Sequence, residues 1–234
     1  MAFYVPGSGI NGVYYTRSRV SGGNDQCVAF CGWITVPADA AYRRFFHHKG
    51  FNPASNVSMS LQFTQANNSR FYLAENQGTQ RGDSRVTPVY TAGTLLHVFG
   101  YGASSGTGIN PRLWINGVEM DFGSAPVPLA NGPLTDRFCV GFRADLASPA
   151  KGDFSEVAYW VRDEFVFDAP TDDQVRAIMA GAPPQIYQPD YLEIIAPFKN
   201  PTQPAIFLGS SIISELPLGT RQASDRHGLI SGPA

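Results

Sequence analysis

The 234 residues carry 17 Lys and Arg against 19 Asp and Glu, a net charge of −2, so no basic field is available to hold nucleic acid. Charged residues are only 15%, while Gly numbers 24 and Pro 18, a mixture that favours many short strands joined by tight turns. No apolar run reaches the length of about 18 residues that a membrane helix needs, and Met1-Ala2-Phe3-Tyr4-Val5-Pro6 lacks the basic and apolar regions of a secretory signal.

In chain order, Phe3–Val5 reads as a short strand stopped by Pro6-Gly7, and residues 12–16 as a second. The polar turn at residues 22–26 gives way to Cys27–Val36, a long run of β-formers closed by Pro37. Residues 37–42 read as a turn of helix, and Arg44–Lys49 as a strand ended by Gly50. Val57–Thr64 alternates apolar and polar residues cleanly, which predicts one packed and one wet face. Residues 70–73 and 85–90 are shorter candidates, and Thr94–Tyr101 is apolar on both faces, as a central strand is.

A Gly/Ser-rich loop then leads into Arg112–Met120, where two alternating runs meet at Asn116-Gly117. That dipeptide is the strongest short-range hairpin signal, because a type I′ turn needs φ > 0 at both central residues. Alternation sends Leu113 and Ile115 to one face and Trp114 and Asn116 to the other. Phe138–Phe142 and Asp153–Val161 are further strands, with a short piece at Phe165–Phe167.

One helix is well specified. Thr171 is an N-cap with Gln174 placed to complete a capping box. Asp172 and Asp173 sit at the positive end of the dipole. Val175, Ile178 and Met179 form an apolar stripe, and Gly181 with Pro183-Pro184 ends the helix. Beyond it, residues 183–234 contain recurrent prolines and short apolar bursts, and read as an extended arm outside a domain of residues 1–182.

Cys27, Cys31 and Cys139 are an odd set. On one strand, Cys27 and Cys31 would stand about 13 Å apart, too far for a disulfide's limit of about 7 Å. Reduced, buried thiols and synthesis in a cytoplasm are therefore expected. Asn56-Val57-Ser58 and Asn67-Asn68-Ser69 fit the glycosylation pattern but have no secretory signal to make them relevant.

Taken in order, these elements resemble a concanavalin A-like jelly roll of the laminin-G type over about residues 1–182. Five pieces carry the resemblance. They are Phe30-Cys31-Gly32-Trp33-Ile34-Thr35-Val36-Pro37; Leu95–Tyr101, with Leu96 where the family carries its first His; Leu113-Trp114-Ile115-Asn116-Gly117-Val118; Cys139-Val140-Gly141; and Phe154–Trp160 followed by Thr171–Val175. The resemblance implies an all-β fold, two antiparallel sheets packed as a jelly-roll sandwich, with one short C-terminal helix and the extended arm. Such folds serve lectins, glycosidases, adhesion modules and virion proteins, so the fold leaves function open.

Glu119-Met120-Asp121 begins like the E-x-D-x-x-E motif of retaining β-glucanases, but its third position is Ser124, so the motif is incomplete. Asn110, Asn131, Asp136, Asp145 and Asp153 are scattered oxygen donors with no calcium loop to gather them; no metal site is assigned and calcium is left open. Sugar stacking without metal would use Trp160, Tyr159, Tyr101 or Trp114, with Trp160 the first expected at the surface. Arg81-Gly82-Asp83 matches an adhesion tripeptide and is read as chance.

The leading expectation is a non-enzymatic structural protein of a tailed-phage virion, such as a capsid decoration protein. Its jelly roll would face solvent. Its arm, through Ile194, Ile195, Phe198, Ile206, Phe207, Leu208, Ile212 and Ile213, would lie on neighbouring subunits by strand addition. The partners would be other virion proteins such as the major capsid protein, further copies of the chain, and a host-surface glycan, with no cofactor, nucleic acid or membrane. The alternatives are a carbohydrate-binding lectin domain and a glycoside hydrolase built on the incomplete motif.

Overall fold

A computed structural model describes residues 3–6, 13–18, 26–37, 43–52, 57–64, 70–76, 79–80, 90–105, 108–120, 135–141, 151–163, 167–196, 206–207 and 213–215. Among them are fifteen strands and one α-helix. The strands are β1 (Phe3–Pro6), β2 (Val13–Ser18), β3 (Gln26–Thr35), β4 (Arg43–Asn52), β5 (Val57–Thr64), β6 (Arg70–Asn76), β7 (Thr79–Gln80), β8 (Leu95–Ser105), β9 (Gly108–Ile115), β10 (Val118–Glu119), β11 (Thr135–Val140), β12 (Lys151–Asp163), β13 (Leu192–Ala196), β14 (Ile206–Phe207) and β15 (Ile213–Glu215). The helix α1 spans Asp172–Met179.

Two antiparallel sheets form the sandwich. One runs β10-β9-β8-β3-β12-β13-β14, with β1 also on β12; the other runs β15-β2-β11-β4-β5-β6-β7. The chain is therefore the all-β two-sheet sandwich its strand pattern implies. Asn116 and Gly117 take positive φ, 51° and 75°, and turn the β9–β10 hairpin as expected. The capping box at Thr171 and Gln174 is present in full. Gly181, at φ 100°, ends α1 with bonds from its own N–H to Ile178 and from Ala182 N–H to Ala177, a Schellman closure.

The first sheet buries both faces. Inward, Val28, Phe30 and Ile34 of β3, Leu96 and Val98 of β8, Leu113 and Ile115 of β9, and Phe154, Val157, Tyr159 and Val161 of β12 meet Phe45, Phe46, Met59, Leu61, Phe138 and Val140 of the second sheet. Outward, Cys27, Ala29, Cys31, Phe99, Tyr101, Trp114, Ala158 and Trp160 form a second core. It is covered by Phe167, by Val175 and Ile178 of α1, and by Tyr187 and Leu192. Leu113 and Ile115 point inward and Trp114 outward, as alternation requires.

This outer layer corrects the boundary drawn at residue 182. Residues 183–196 are part of the domain. Pro184 and Pro189 open two 3₁₀ turns, at Pro184–Ile186 and Pro189–Tyr191, that lay Tyr187 and Leu192 on the sheet. β13 then pairs with β12, and Ile194, assigned to the arm from sequence, is buried in the sandwich core. Ile195 is half-buried beside the outer layer. β14, holding Ile206 and Phe207, pairs with β13, and β15, beginning at Ile213, pairs with β2. The apolar bursts read as surface for a partner because a lone extended tail would leave them wet. Ile194 and Ile195 have their cover within this chain. Phe198, Leu208 and Ile212 lie outside the described residues.

The alternating strand β5 buries Met59 and Leu61, but Ser60 is buried as well, so its polar face is not wet throughout. The pieces expected at residues 38–42, 85–89 and 165–166 lie outside the described residues, as does the Arg81-Gly82-Asp83 tripeptide. Among the described residues no helix is long and apolar enough to cross a membrane.

Candidate functional site

The four aromatics assigned to sugar stacking do not reach solvent. Trp114, Tyr159 and Trp160 are 0% exposed and Tyr101 is 5%. Each has a structural bond instead. Trp160 Nε1 donates to the Tyr187 carbonyl at 2.9 Å, and Tyr101 Oη to the Phe167 carbonyl at 2.7 Å. Trp114 Nε1 donates to Asp172 at 2.8 Å, and Tyr159 Oη pairs with His48 at 2.7 Å. A buried indole or phenol needs a partner for its polar tip, and here the cover and the second sheet supply it.

Glu119 is likewise engaged. Arg112 holds it with two bonds of 2.6 Å on the exposed side of the hairpin, while Asp121 and Ser124 lie outside the described residues. Asp153 accepts from the Thr35 hydroxyl at 3.3 Å. Among the described residues no three His, Cys, Asp or Glu side chains gather as metal ligands. All three cysteines are buried and unbridged. Burial pushes the Cys27 and Cys31 thiols up to about 12, which keeps them protonated and inert at neutral pH.

The site that does form lies on the outer face, where the family-like motif pieces converge. Its origin is a β-bulge in β12. Ser155 pairs with Trp33 and Ala158 with Cys31, so three steps on β12 oppose two on β3. Phe154 and Val157 consequently both point inward although they stand three positions apart, an odd offset. Glu156, which strict alternation would send into the sandwich core, is turned outward at φ 52°. A non-glycine residue there carries local strain of order 1 kcal/mol or more. Gly32 lies opposite the bulge, and a Cβ on it would stand 3.1 Å from Val157, 3.2 Å from Phe46 and 3.3 Å from the Ser155 carbonyl. On its other edge β12 pairs with β1 as far as Phe154 and with β13 from Val157, so Ser155 and Glu156 fall between the two partners.

The outward carboxylate accepts from Trp33 Nε1 at 3.2 Å. The Trp33 ring in turn meets His97 of β8 edge-on, with centroids 5.3 Å apart. His97 is fixed through its backbone by Asn116 of the hairpin. Its N–H donates to the Asn116 side chain at 2.9 Å, and its carbonyl accepts from the Asn116 N–H at 2.8 Å. Gly117 places the turn under α1, where a Cβ would come 2.8 Å from Arg176 Cγ. Trp33, His97, Asn116-Gly117 and Glu156 come from four separate pieces of sequence and meet in one place.

Above them is a cavity of about 210 Å³. His97 and Glu156 are its polar lining. Ile178, Gly181, Ala182, Pro183 and Pro184 from the end of α1 and the turn after it, with Ile195 of β13, make its walls. His97 is 2% exposed, and its Nδ1 has no hydrogen-bond partner among the described residues. Burial lowers its pKa from 6.5 to about 4, against the opposing pull of Glu156.

That shift predicts a specific acid sensitivity. An unfolded chain takes up the His97 proton near 6.5, whereas the folded chain does so only near 4. Between these values the unfolded state binds more protons, so this contribution is whole above about pH 6.5 and is lost as pH falls to about 4. The loss amounts to roughly 3 kcal/mol. Urea midpoints at pH 7, 5.5 and 4.5 for the natural chain and for His97→Gln check it. The natural chain should lose more stability over that range, and parallel curves would contradict the assignment.

Sequence reading misses this site. His97 has no metal spacing to mark it, and Glu156 is not among the residues singled out above. The available signal is the break in alternation between Phe154 and Val157.

No family model matches the chain, and no curated protein does. Solved structures do. The native heptameric SAP-like pentraxin of Limulus polyphemus superposes with a TM-score of 0.54 at 13% identity, over 76% of this chain and 80% of that one. A candidate carbohydrate binding protein of Bacteroides ovatus gives 0.52 at 15% identity, over 92% of this chain and 61% of that one. The enzymatically active domain of the bacteriophage CBA120 tailspike protein 2 gives 0.49 at 14% identity, over 84% of this chain and 32% of that one. Identities of this size speak to architecture alone, and the architecture is a jelly roll like that of the pentraxin, here with a helical and 3₁₀ layer on one sheet.

Proposed function

We propose that the chain is a non-catalytic binding and assembly module, and in its fuller form a structural protein of a phage virion surface such as a capsid decoration protein. The observation that carries this reading is the placement of its C-terminal strands. One segment supplies an outermost strand to each sheet, β14 beside β13 and β15 beside β2. These strands are only two and three residues long. An edge held by so few pairs exchanges cheaply for the same strand of a second copy, because each hydrogen bond broken within one chain re-forms between two. Main-chain pairing then supplies affinity at the exposed sheet edge. Neighbouring copies and the major capsid protein are the partners this reading names. The engagement of Glu119 by Arg112 supports the non-catalytic half.

Limited proteolysis with mass analysis tests it, on the dilute free protein and on any native particle that it copurifies with. Cutting within residues 206–215 of the free protein, with protection in the particle, is the expected result. Equal protection in the dilute monomer overturns the exchange of these strands. A glycan array probed with the same full chain tests the lectin alternative, whose four candidate rings are buried.

A further inference from the structure

We infer that Asn116 is a self-modification site, an asparagine that deamidates through the Gly117 nitrogen when the hairpin opens and is held back while it is closed. The inference does not depend on the assembly reading, since neither β14 nor β15 pairs with the hairpin.

The reaction needs only the chain and water. Glycine follows Asn116, so no side chain screens the backbone nitrogen from the neighbouring amide carbon. Gly117 N gives its proton to solvent and bonds to Asn116 Cγ. The C–N bond of the side-chain amide breaks, and its nitrogen leaves as ammonia. Water then opens the five-membered imide at one of its two carbonyls. One opening yields aspartate. The other yields isoaspartate, whose main chain runs through Cβ. The balance is one water in and one ammonia out. Asn116 is exposed, so water and base can reach it.

The closed turn opposes the first step. Ring closure requires the Asn116 side chain to swing over its own backbone towards Gly117 N. Here it is tied elsewhere: Oδ1 accepts from His97 N–H at 2.9 Å, and Asn116 N–H donates to the His97 carbonyl at 2.8 Å. The positive φ of both turn residues fixes the backbone between them. Gly117 is buried, with Arg176 Cγ 2.8 Å and Met179 Cε 3.5 Å from where its Cβ would stand, so α1 covers the residue that must attack. Reaction therefore waits on local opening of the hairpin from β8 and α1, and its rate follows the population of the open form. Isoaspartate makes that opening permanent. A two-residue I′ loop has no room for a further main-chain methylene, so both bonds to His97 cannot re-form. Aspartate keeps the chain length and an acceptor for His97 N–H. The turn is in this sense a one-way switch.

The chain carries its own reference. Ile10-Asn11-Gly12-Val13 repeats the tetrapeptide Ile115-Asn116-Gly117-Val118, so the two asparagines share their local chemistry once unfolded. The full chain is incubated at pH 8 with and without guanidinium chloride, and peptide mapping by mass spectrometry follows both sites. In denaturant Asn11 and Asn116 should deamidate at matching rates; an Asn116 that stays intact there overturns the site itself. Without denaturant Asn116 should react slower than in it by about tenfold or more, because two hydrogen bonds and a packed contact must open first. Arg176→Ala clears the side chain over Gly117 from an exposed helix position and leaves both cores in place. It should raise the native rate at Asn116 severalfold and leave the rate in denaturant unchanged. The isoaspartyl chain, separated by ion exchange, should unfold at lower urea than Asn116→Asp. Equal rates at Asn116 in the native and denatured chain would overturn the gating. An unchanged native rate in Arg176→Ala would overturn the part given to α1, and equal urea midpoints for the isoaspartyl chain and Asn116→Asp would overturn the switch.

Discussion

A chain ended after Ala182 is expected not to fold. Such a chain keeps the five motif pieces that make the sequence look like a jelly roll, and composition alone marks residues 183–234 as a tail. The outer layer says otherwise. Ending there removes Tyr187, Leu192 and Ile194, which are 1%, 4% and 5% exposed. It strips β12 of β13 along Val157–Trp160, and leaves Trp160 Nε1 without the Tyr187 carbonyl. Deleting one large buried side chain costs about 2–5 kcal/mol. Three together, with an orphaned indole N–H, amount to roughly 10 kcal/mol, which is the whole stability of an ordinary domain. Near-ultraviolet circular dichroism of the two truncations decides it. A chain ended after Ala196 keeps the layer and β13 and should retain a native spectrum, while the chain ended after Ala182 should give a flat one or precipitate. If the shorter chain melts cooperatively near the temperature of the longer, the layer is an appendage and the boundary at 182 stands.

Legibility in the sequence depends on the range over which each signal acts. Local devices read correctly because they act over a few residues. Asn116-Gly117 needs only its own φ angles, and the Thr171–Gln174 box only one helical turn. The layer over the first sheet could not be read from its own residues, because its apolar positions at Tyr187, Leu192 and Ile194 keep no period. It could be read from the strands beneath. Cys27–Val36 and Leu95–Tyr101 are apolar on both faces, and an antiparallel strand with two apolar faces needs two covers. The second sheet is one. The remaining apolar sequence that could be the other was the segment read as an arm.

The aromatics assigned to sugar binding failed for the same reason. Tyr101, Trp114 and Trp160 do alternate away from the sandwich core, but the face they share is the covered one. The candidate site needed two further facts that pattern alone conceals. A bulge shifts the phase of β12 by one residue, and the hairpin brings Asn116 back onto His97 across 19 residues of chain.

The second large effect is expected at Trp160, where the outer core is anchored. Its ring stands 5.4 Å from Phe99 and 5.3 Å from Tyr187, and its N–H bonds the Tyr187 backbone. Trp160→Ala should cost about 3–5 kcal/mol, the range for emptying a buried aromatic site. Trp160→Phe fills part of the space but leaves the Tyr187 carbonyl unpaired, and should cost about 1–3 kcal/mol. Urea denaturation gives both numbers. The instructive comparison is with its neighbour. Tyr159 is next in sequence but faces the sandwich core, stacked on Phe138 at 4.0 Å. If the two cores are one cooperative unit, Tyr159→Ala and Trp160→Ala should each move a single transition followed by both fluorescence and far-ultraviolet dichroism. If Trp160→Ala instead splits the unfolding, with residues 167–196 losing amide protection before β2, β4 and β11, the outer layer is a separately opening lid on the first sheet. Because β13 belongs to both cores through Ile194 and Leu192, peeling the layer would pull a strand from the sandwich, which is why one transition is the expected result.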